Sequence, residues 1–91
     1  MLTTESARSR LLALLQSKSV SYGDFTLASG AKSNFYIDCR LTTLDGEGAW
    51  LVGQVMHALI RHEASARGVV VDAVGGLTLG ADPVALAVGM H

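Results

Sequence analysis

The residues that most directly suggest chemistry are Val74-Gly75-Gly76-Leu77-Thr78-Leu79-Gly80-Ala81-Asp82-Pro83. A β-branched run, Gly68 to Val74, precedes them, and the apolar stretch Val84 to Val88 follows. A strand, a glycine-rich turn and a helix start in that order make an anion site. Free backbone N–H groups converge there and the helix dipole favours negative charge. Glycines let the backbone approach oxygens closely and take up positive φ. Two nucleotide-binding fingerprints fail. Gly75 and Gly80 have the outer spacing of a P-loop, but Ala81 and Asp82 stand where Lys and Ser or Thr are required. The dinucleotide pattern fails at Leu77, which takes the place of a glycine. On pattern alone two readings stay open: a phosphate grip, or a tight strand-to-helix turn.

Other polar residues admit two readings each. Asp38 and Arg40 alternate with Tyr36 on one strand face, so they border a pocket or form a surface ion pair of little energy. Lys32 is a solvated turn lysine or a cation that steers an anionic substrate. Asp72, inside the valine run, is a strand-edge acceptor or a neighbour of the site. Cys39 alternates with Phe35 and Ile37 and reads as a buried small residue. His57 and His62 stand five residues apart and do not share a helix face as i, i+4 ligands do. With His91 they form no metal set of usual spacing.

Hydrophobic spacing supplies the elements that position these residues. Ala7, Leu11, Leu14 and Leu15 predict an amphipathic helix over 5–17, with Thr3 or Thr4 as its cap. Phe25 and Leu27, then Phe35, Ile37 and Cys39, alternate with polar residues around Ser29-Gly30. This predicts a hairpin with one buried and one open face. Asp45 is an N-cap for a second helix. Its stripe is Ala49, Val52, Gly53, Met56, Leu59 and Ile60, its end lies near residues 62–66, and Gly68 stands past that end. Trp50 reads as a packing or interface residue. Gly68 to Val74, apolar on both faces, predicts a buried parallel strand. Asp82 predicts the cap of a last helix, with Pro83 in its first turn. That helix would be cut by the end of the chain at His91, with no C-cap. The order is helix, hairpin, helix, strand, helix: the opening of an α/β domain with one strand of its main sheet.

Composition bounds the rest. Ninety-one residues are one small domain or part of a larger one. Apolar residues make up 49% and charged residues 16%, against about 25% charged in typical domains; mean hydropathy is +0.37. This surplus predicts surface that something else covers, and poor solubility or oligomerisation of the chain by itself. A net charge of −1 leaves no electrostatic footprint for nucleic acid or membrane. No apolar run approaches about 18 residues, so no transmembrane span is expected. A polar N-terminus (Thr3, Thr4, Glu5, Ser6) and a single cysteine point to the cytoplasm.

Two segments together carry a resemblance. FTLASGAKSNFYIDCR (Phe25 to Arg40) and DAVGGLTLGADPVALAV (Asp72 to Val88) resemble orotate phosphoribosyltransferase, in the same order and at matching spacing. The resemblance implies a fold of class α/β. An N-terminal hood, a helix plus a β-hairpin over residues 1–45, precedes the first helix-strand-loop-helix of a type I phosphoribosyltransferase (Rossmann-like) core over 46–91, truncated. It implies transfer of the phosphoribosyl group of 5-phosphoribosyl 1-pyrophosphate to orotate, giving orotidine 5′-monophosphate and pyrophosphate in pyrimidine (UMP) biosynthesis. Mg2+ would come with the sugar-phosphate substrate, and the enzyme would be a homodimer.

The orotate-contacting pair falls on Tyr36 and Ile37, with Lys32 in the turn that lines the entrance. The pyrophosphate loop falls on Gly75, Gly76, Leu77, Thr78, Leu79 and Gly80. The chain departs from the family pattern at two lysines: Ala28 precedes Ser29-Gly30, and Thr78-Leu79 replaces an aromatic-lysine pair. The backbone amides and the Thr78 hydroxyl would then carry the grip. The family's acidic pair with its Thr-rich loop, and its mobile loop with catalytic Lys and His, correspond to positions after 91. No catalytic residue is assigned within the chain, no metal site is expected, and the 91 residues alone are expected to be inactive. Alternatives from other classes are a non-catalytic interaction or dimerisation module and a simple phosphate-binding module.

Overall fold

The computed structural model describes residues 3–91. Thr3 starts the first element: its backbone is extended and its hydroxyl accepts the Ser6 amide at 3.1 Å. One of the donors left open at a helix start is thereby satisfied. Helix α1 runs Thr4–Leu14. It passes directly into a π-helical turn, Leu15–Ser19, where an ordinary helix was expected. Strands β1 (Val20–Thr26) and β2 (Lys32–Ile37) then form an antiparallel hairpin. Gly30, at φ 85°, closes its tip by donating to the Leu27 carbonyl at 2.9 Å. Tyr22 pairs with Phe35 but Phe25 pairs with Ser33. Gly23 and Asp24 thus oppose Asn34 alone, a β-bulge.

A short helix α2 (Arg40–Thr43) leads to the long α3 (Gly46–Arg67). Asp45 caps α3 as expected, its carboxylate accepting the Gly48 amide at 2.9 Å. Gly68, left-handed at φ 65°, ends it, the usual glycine stop. Helix α4 spans Asp82–Gly89. Two expectations there need correcting. Ala81, not Asp82, is the N-cap, so Asp82 and Pro83 both sit in the first turn. The helix also closes before the last residue, with the Met90 amide donating to the Leu86 carbonyl at 3.1 Å.

Helix α3 is the shared wall, with α1 and α4 packed along it and α2 at its start. The core is small: Ala7, Leu14 and Leu51, with Leu11 and Val55 against them. Leu51 is 1% exposed. Gly53 lets α4 come close, because a Cβ there would stand 2.5 Å from the Ala87 carbonyl oxygen. Two ion pairs cross from the N-terminal segment to the start of α3: Arg10 reaches Glu47 through two contacts of 3.0 Å, and Lys18 reaches Asp45. Beside them the buried hydroxyls of Ser19 and Thr42 are 2.6 Å apart.

The expected stripe on α3 is half right. Val52 and Gly53 are buried, but so is Leu51, while Met56 and Leu59 are open. The helix is gripped from two sides near its start and left bare near its end. A larger difference lies at 68–74. No strand forms there among the described residues, and Val70 is 84% exposed. A strand is held by its neighbours' hydrogen bonds, and none lies alongside. The hairpin also lacks the expected buried face: Phe35 and Ile37 are exposed, since the hairpin touches little beyond itself and the π-helical turn. Cys39, expected to be buried, is exposed past the end of β2. The result is a mixed α/β arrangement with much open surface. Its Cα radius of gyration is 15.0 Å, against about 12 Å for a compact chain of this length. Its accessible surface is 6671 Å², against roughly 5,000 Å² for a compact monomer of this mass.

The small core concentrates stability. Leu51→Ala should lower unfolding free energy by about 2–5 kcal/mol, while Leu12→Ala, at an exposed position, should change it by less than about 0.5 kcal/mol. Urea titrations of the two variants compare them. The ion pairs set the acid response. Arg10 holds the Glu47 carboxyl below the usual range by hydrogen bonding, and Lys18 does the same for Asp45, with the Gly48 amide adding to it. The folded state therefore binds fewer protons than the unfolded one. That stability is present above the ordinary carboxylate value of about 4 and is lost as pH falls through the lowered folded values. Acid unfolding followed by circular dichroism should be steepest below about pH 4 and shallower in Lys18→Met.

Candidate functional site

Two places carry the residues singled out by sequence. The first is β2. Lys32 begins it, and Tyr36 and Ile37 end it. Lys32 and Tyr36 stand about 13 Å apart along the strand at roughly 3.3 Å per residue. Tyr36 is 47% exposed and its ring lies 5.7 Å from that of Phe25, across the planes at 33°. Asp38 and Arg40 lie beyond the strand, at the head of α2, rather than on a strand face with Tyr36. They close on each other: Arg40 Nε donates to Asp38 Oδ1 at 3.1 Å and Nη2 to Oδ2 at 3.2 Å. The Arg40 hydrogen bond holds the Asp38 carboxyl below its usual range. A carboxylate and guanidinium already paired, both in water, form the surface pair rather than a free charge for a ligand.

The second place is the loop before α4. Among the described residues, the amides of Gly75 to Gly80 donate no hydrogen bond. The only bonds at this turn are those of Ala81 and Asp82, whose amides donate to the Leu77 carbonyl at 3.0 and 3.2 Å. Six N–H groups are therefore open to solvent-borne acceptors just before a helix start. Leu79 sits at φ 69°, a left-handed conformation that costs a bulky side chain energy. Gly76 cannot be replaced without moving the loop, since a Cβ would stand 2.5 Å from the Ala81 Cβ and 2.8 Å from its carbonyl carbon. Gly75 and Gly80 have open space at the same position. Asp82 places a carboxylate at this helix start, where an incoming anion would meet it.

The cavity lined by Gly75 and Gly80 has a volume of about 380 Å³ and is otherwise walled by Met56, Ile60, Val74, Val84 and neighbours. That is the apolar back of the loop, and Lys32, Tyr36 and Ile37 are not among its walls. No group of three or more His, Cys, Asp or Glu residues that could hold a metal is present among the described residues. No helix is long and apolar enough to cross a membrane. Sequence reasoning missed the Phe25–Tyr36 ring pair and the 4.4 Å contact of the Trp50 and His91 rings. The first hides behind a bulge, which alternation cannot show. The second joins residues 41 positions apart with no pattern between them.

No family model matches the chain, but individual proteins do. The orotate phosphoribosyltransferase of Rhodopirellula baltica is 46% identical over 74 residues, which cover 81% of this chain and 38% of the relative. That of Streptomyces avermitilis is 47% identical over 83 residues, 91% of this chain and 42% of the relative. The crystal structure of Mycobacterium tuberculosis H37Rv orotate phosphoribosyltransferase in complex with inorganic phosphate matches with a TM-score of 0.70 at 39% identity, over 90% of this chain and 45% of that one. The chain is a homologue of orotate phosphoribosyltransferase. It spans about two fifths of the length of the curated relatives it matches, over their N-terminal portion. A phosphoribosyltransferase from Corynebacterium diphtheriae matches similarly, with a TM-score of 0.63 at 35% identity. At this coverage the homology to orotate phosphoribosyltransferase takes in the hairpin and the glycine loop alike.

The loop geometry makes a specific prediction. Gly76→Val should break the turn, seen as fast hydrogen exchange at the Ala81 amide. Gly75→Ala should preserve the slow exchange at Ala81.

Proposed function

We propose that the chain acts in orotate phosphoribosyltransfer. The phosphoribosyl group of 5-phosphoribosyl 1-pyrophosphate passes to orotate, giving orotidine 5′-monophosphate and pyrophosphate, a step of cytoplasmic UMP biosynthesis. The homology supports this reading, and one feature of the chain carries it: six open amides, Gly75 to Gly80, at a helix start. In this reading residues 1–45 are the hood and 46–91 the start of the core. Val69 to Val74 becomes a strand once it has neighbours in a sheet. The working enzyme is a homodimer.

Each residue's part follows from its chemistry. The amides of Gly75, Gly76, Leu77, Thr78, Leu79 and Gly80 hold the pyrophosphate, and the Thr78 hydroxyl adds a donor. Donors left unbonded within the chain are free to stabilise charge as it develops on the departing pyrophosphate. Tyr36 and Ile37 offer orotate a flat apolar contact, and the Lys32 ammonium draws its carboxylate. Asp82 opposes an anion at the loop. At Asp82 a divalent ion carried with the phosphates would supply the positive charge that relieves that repulsion. Mg2+ takes oxygen ligands, and with Asp72 and Asp82 as the only acidic residues in this stretch, the phosphates and water supply most of them. No acid, base or cation stands at the loop among Gly75 to Gly80, so the 91 residues bind but do not turn over orotate.

The test is a titration of 15N-labelled chain. Magnesium pyrophosphate should shift the amides of Gly75 to Gly80, and orotate those of Tyr36 and Ile37, while radiolabelled orotate stays unconsumed. Shifts scattered over other surfaces would sink the reading. The excess of accessible surface favours a second reading, an interaction or dimerisation module. A self-associating chain, by light scattering, with no ligand shifts at either place would select it.

A further inference from the structure

We propose that Phe25 is the positioning residue for Tyr36, holding the tyrosine ring ready for a flat aromatic anion on the open side of the hairpin. This rests on reading Tyr36 as an orotate contact. The two ring centroids are 5.7 Å apart with planes tilted by 33°, within the range where aromatic pairs attract. Little else fixes Tyr36. Its hydroxyl makes no hydrogen bond among the described residues, and its strand packs on no helix face. An exposed tyrosine with a free rotamer loses that freedom when a ligand lands on it, which weakens binding. A ring already held beforehand avoids the loss.

The hairpin is built to place Phe25. Of its four aromatic residues, Tyr22, Phe35 and Tyr36 are exposed and Phe25 alone is partly buried. The bulge at Gly23-Asp24 adds one residue to β1 just before Phe25, and bulges re-aim the side chain that follows. Gly23 has φ 155°, and a Cβ on it would lie 3.6 Å from the Phe25 ring. The ring therefore lies beside Gly23, where a side chain would meet it, and next to the Tyr36 ring.

Orotate titrations followed by NMR at Tyr36 and Ile37 test this in the 91-residue chain. Phe25→Leu should weaken orotate binding roughly three- to tenfold, the scale of one aromatic pair. Phe25→Tyr, which keeps the ring, should bind within about twofold of the starting chain, as should Tyr22→Ala, which removes an exposed hairpin ring. Pyrophosphate shifts at Gly75 to Gly80 should be the same in Phe25→Leu, which separates a local effect from unfolding. In the unsubstituted chain, the Tyr36 χ1 couplings should report one rotamer, with contacts to Phe25. Averaged couplings overturn the proposal whether or not Phe25→Leu folds, as does a Phe25→Leu chain that binds orotate like the unsubstituted one. If orotate leaves Tyr36 unshifted while the couplings show one rotamer, the reading of the site fails, and the proposed role fails with it.

Discussion

Leu51, closed against Ala7 and Leu14, is the contact on which the rest of the molecule depends. Everything helical meets at α3, and α3 is held to the N-terminal segment mainly there. The apolar seam is short, so polar contacts finish it. Arg10 with Glu47, Lys18 with Asp45, and Ser19 with Thr42 all lie at the same end of α3. Exposed ion pairs contribute little by themselves, but here they fix a direction. They pin the start of α3, where Asp45 also serves as its cap. One carboxylate thereby caps the start of a helix and fastens that helix to the segment leading into the hairpin. The far half of α3 has no such partner, which is why Met56 and Leu59 face solvent.

The open backbone between Gly68 and α4 follows from the same economy of contacts. A peptide group buried without a partner is costly, whereas one in water is not. Val70 to Gly80 therefore stay at the surface, where water satisfies them, although their side chains are apolar enough for a core. Two consequences differ in sign. For Val69 to Val74 the exposure leaves a strand-like sequence without a sheet. For Gly75 to Gly80 the exposure is what a phosphate needs, since an amide already bonded within the chain could not donate to an oxygen. Leu79 in a left-handed conformation shows the loop holding a shape its side chain does not favour.

What could be read from sequence was local. Asp45, Gly68, Pro83 and the tip glycine Gly30 announce their roles because capping and turn chemistry act over three or four residues. The two strands of the hairpin were legible from alternation. The π-helical turn and the bulge were not, since each alters the residue count without altering composition. Alternation also misplaced Cys39, Asp38 and Arg40: a period of two continues on paper after the strand has ended. The valine run shows the opposite limit. Its composition describes a buried strand correctly as a preference, but burial is decided by neighbours, and these 91 residues do not bring one alongside. The candidate site residues stood out as two separate motifs. That Lys32, Tyr36 and Ile37 do not line the cavity behind the glycine loop is a tertiary fact no motif contains.

The separation has a mechanical reading. In the proposed reaction both substrates would have to meet, so the spacing between hairpin and loop would have to be set by something stiff. The hairpin root is tied back by the Asp38 amide donating to the Ser19 carbonyl at 2.9 Å, and Ser19 is bonded in turn to Thr42, just before α3. At the other face of α3, Gly53 admits α4 to near backbone contact, and α4 carries the loop at its N-terminus. The path from Tyr36 to Gly80 thus runs through short polar bonds, one helix and one close crossing, with no long flexible segment that would let the ends drift. Helix α3 is the ruler between the hairpin and the loop. A glycine at position 53, which contributes nothing to helix propensity, is justified by that crossing alone.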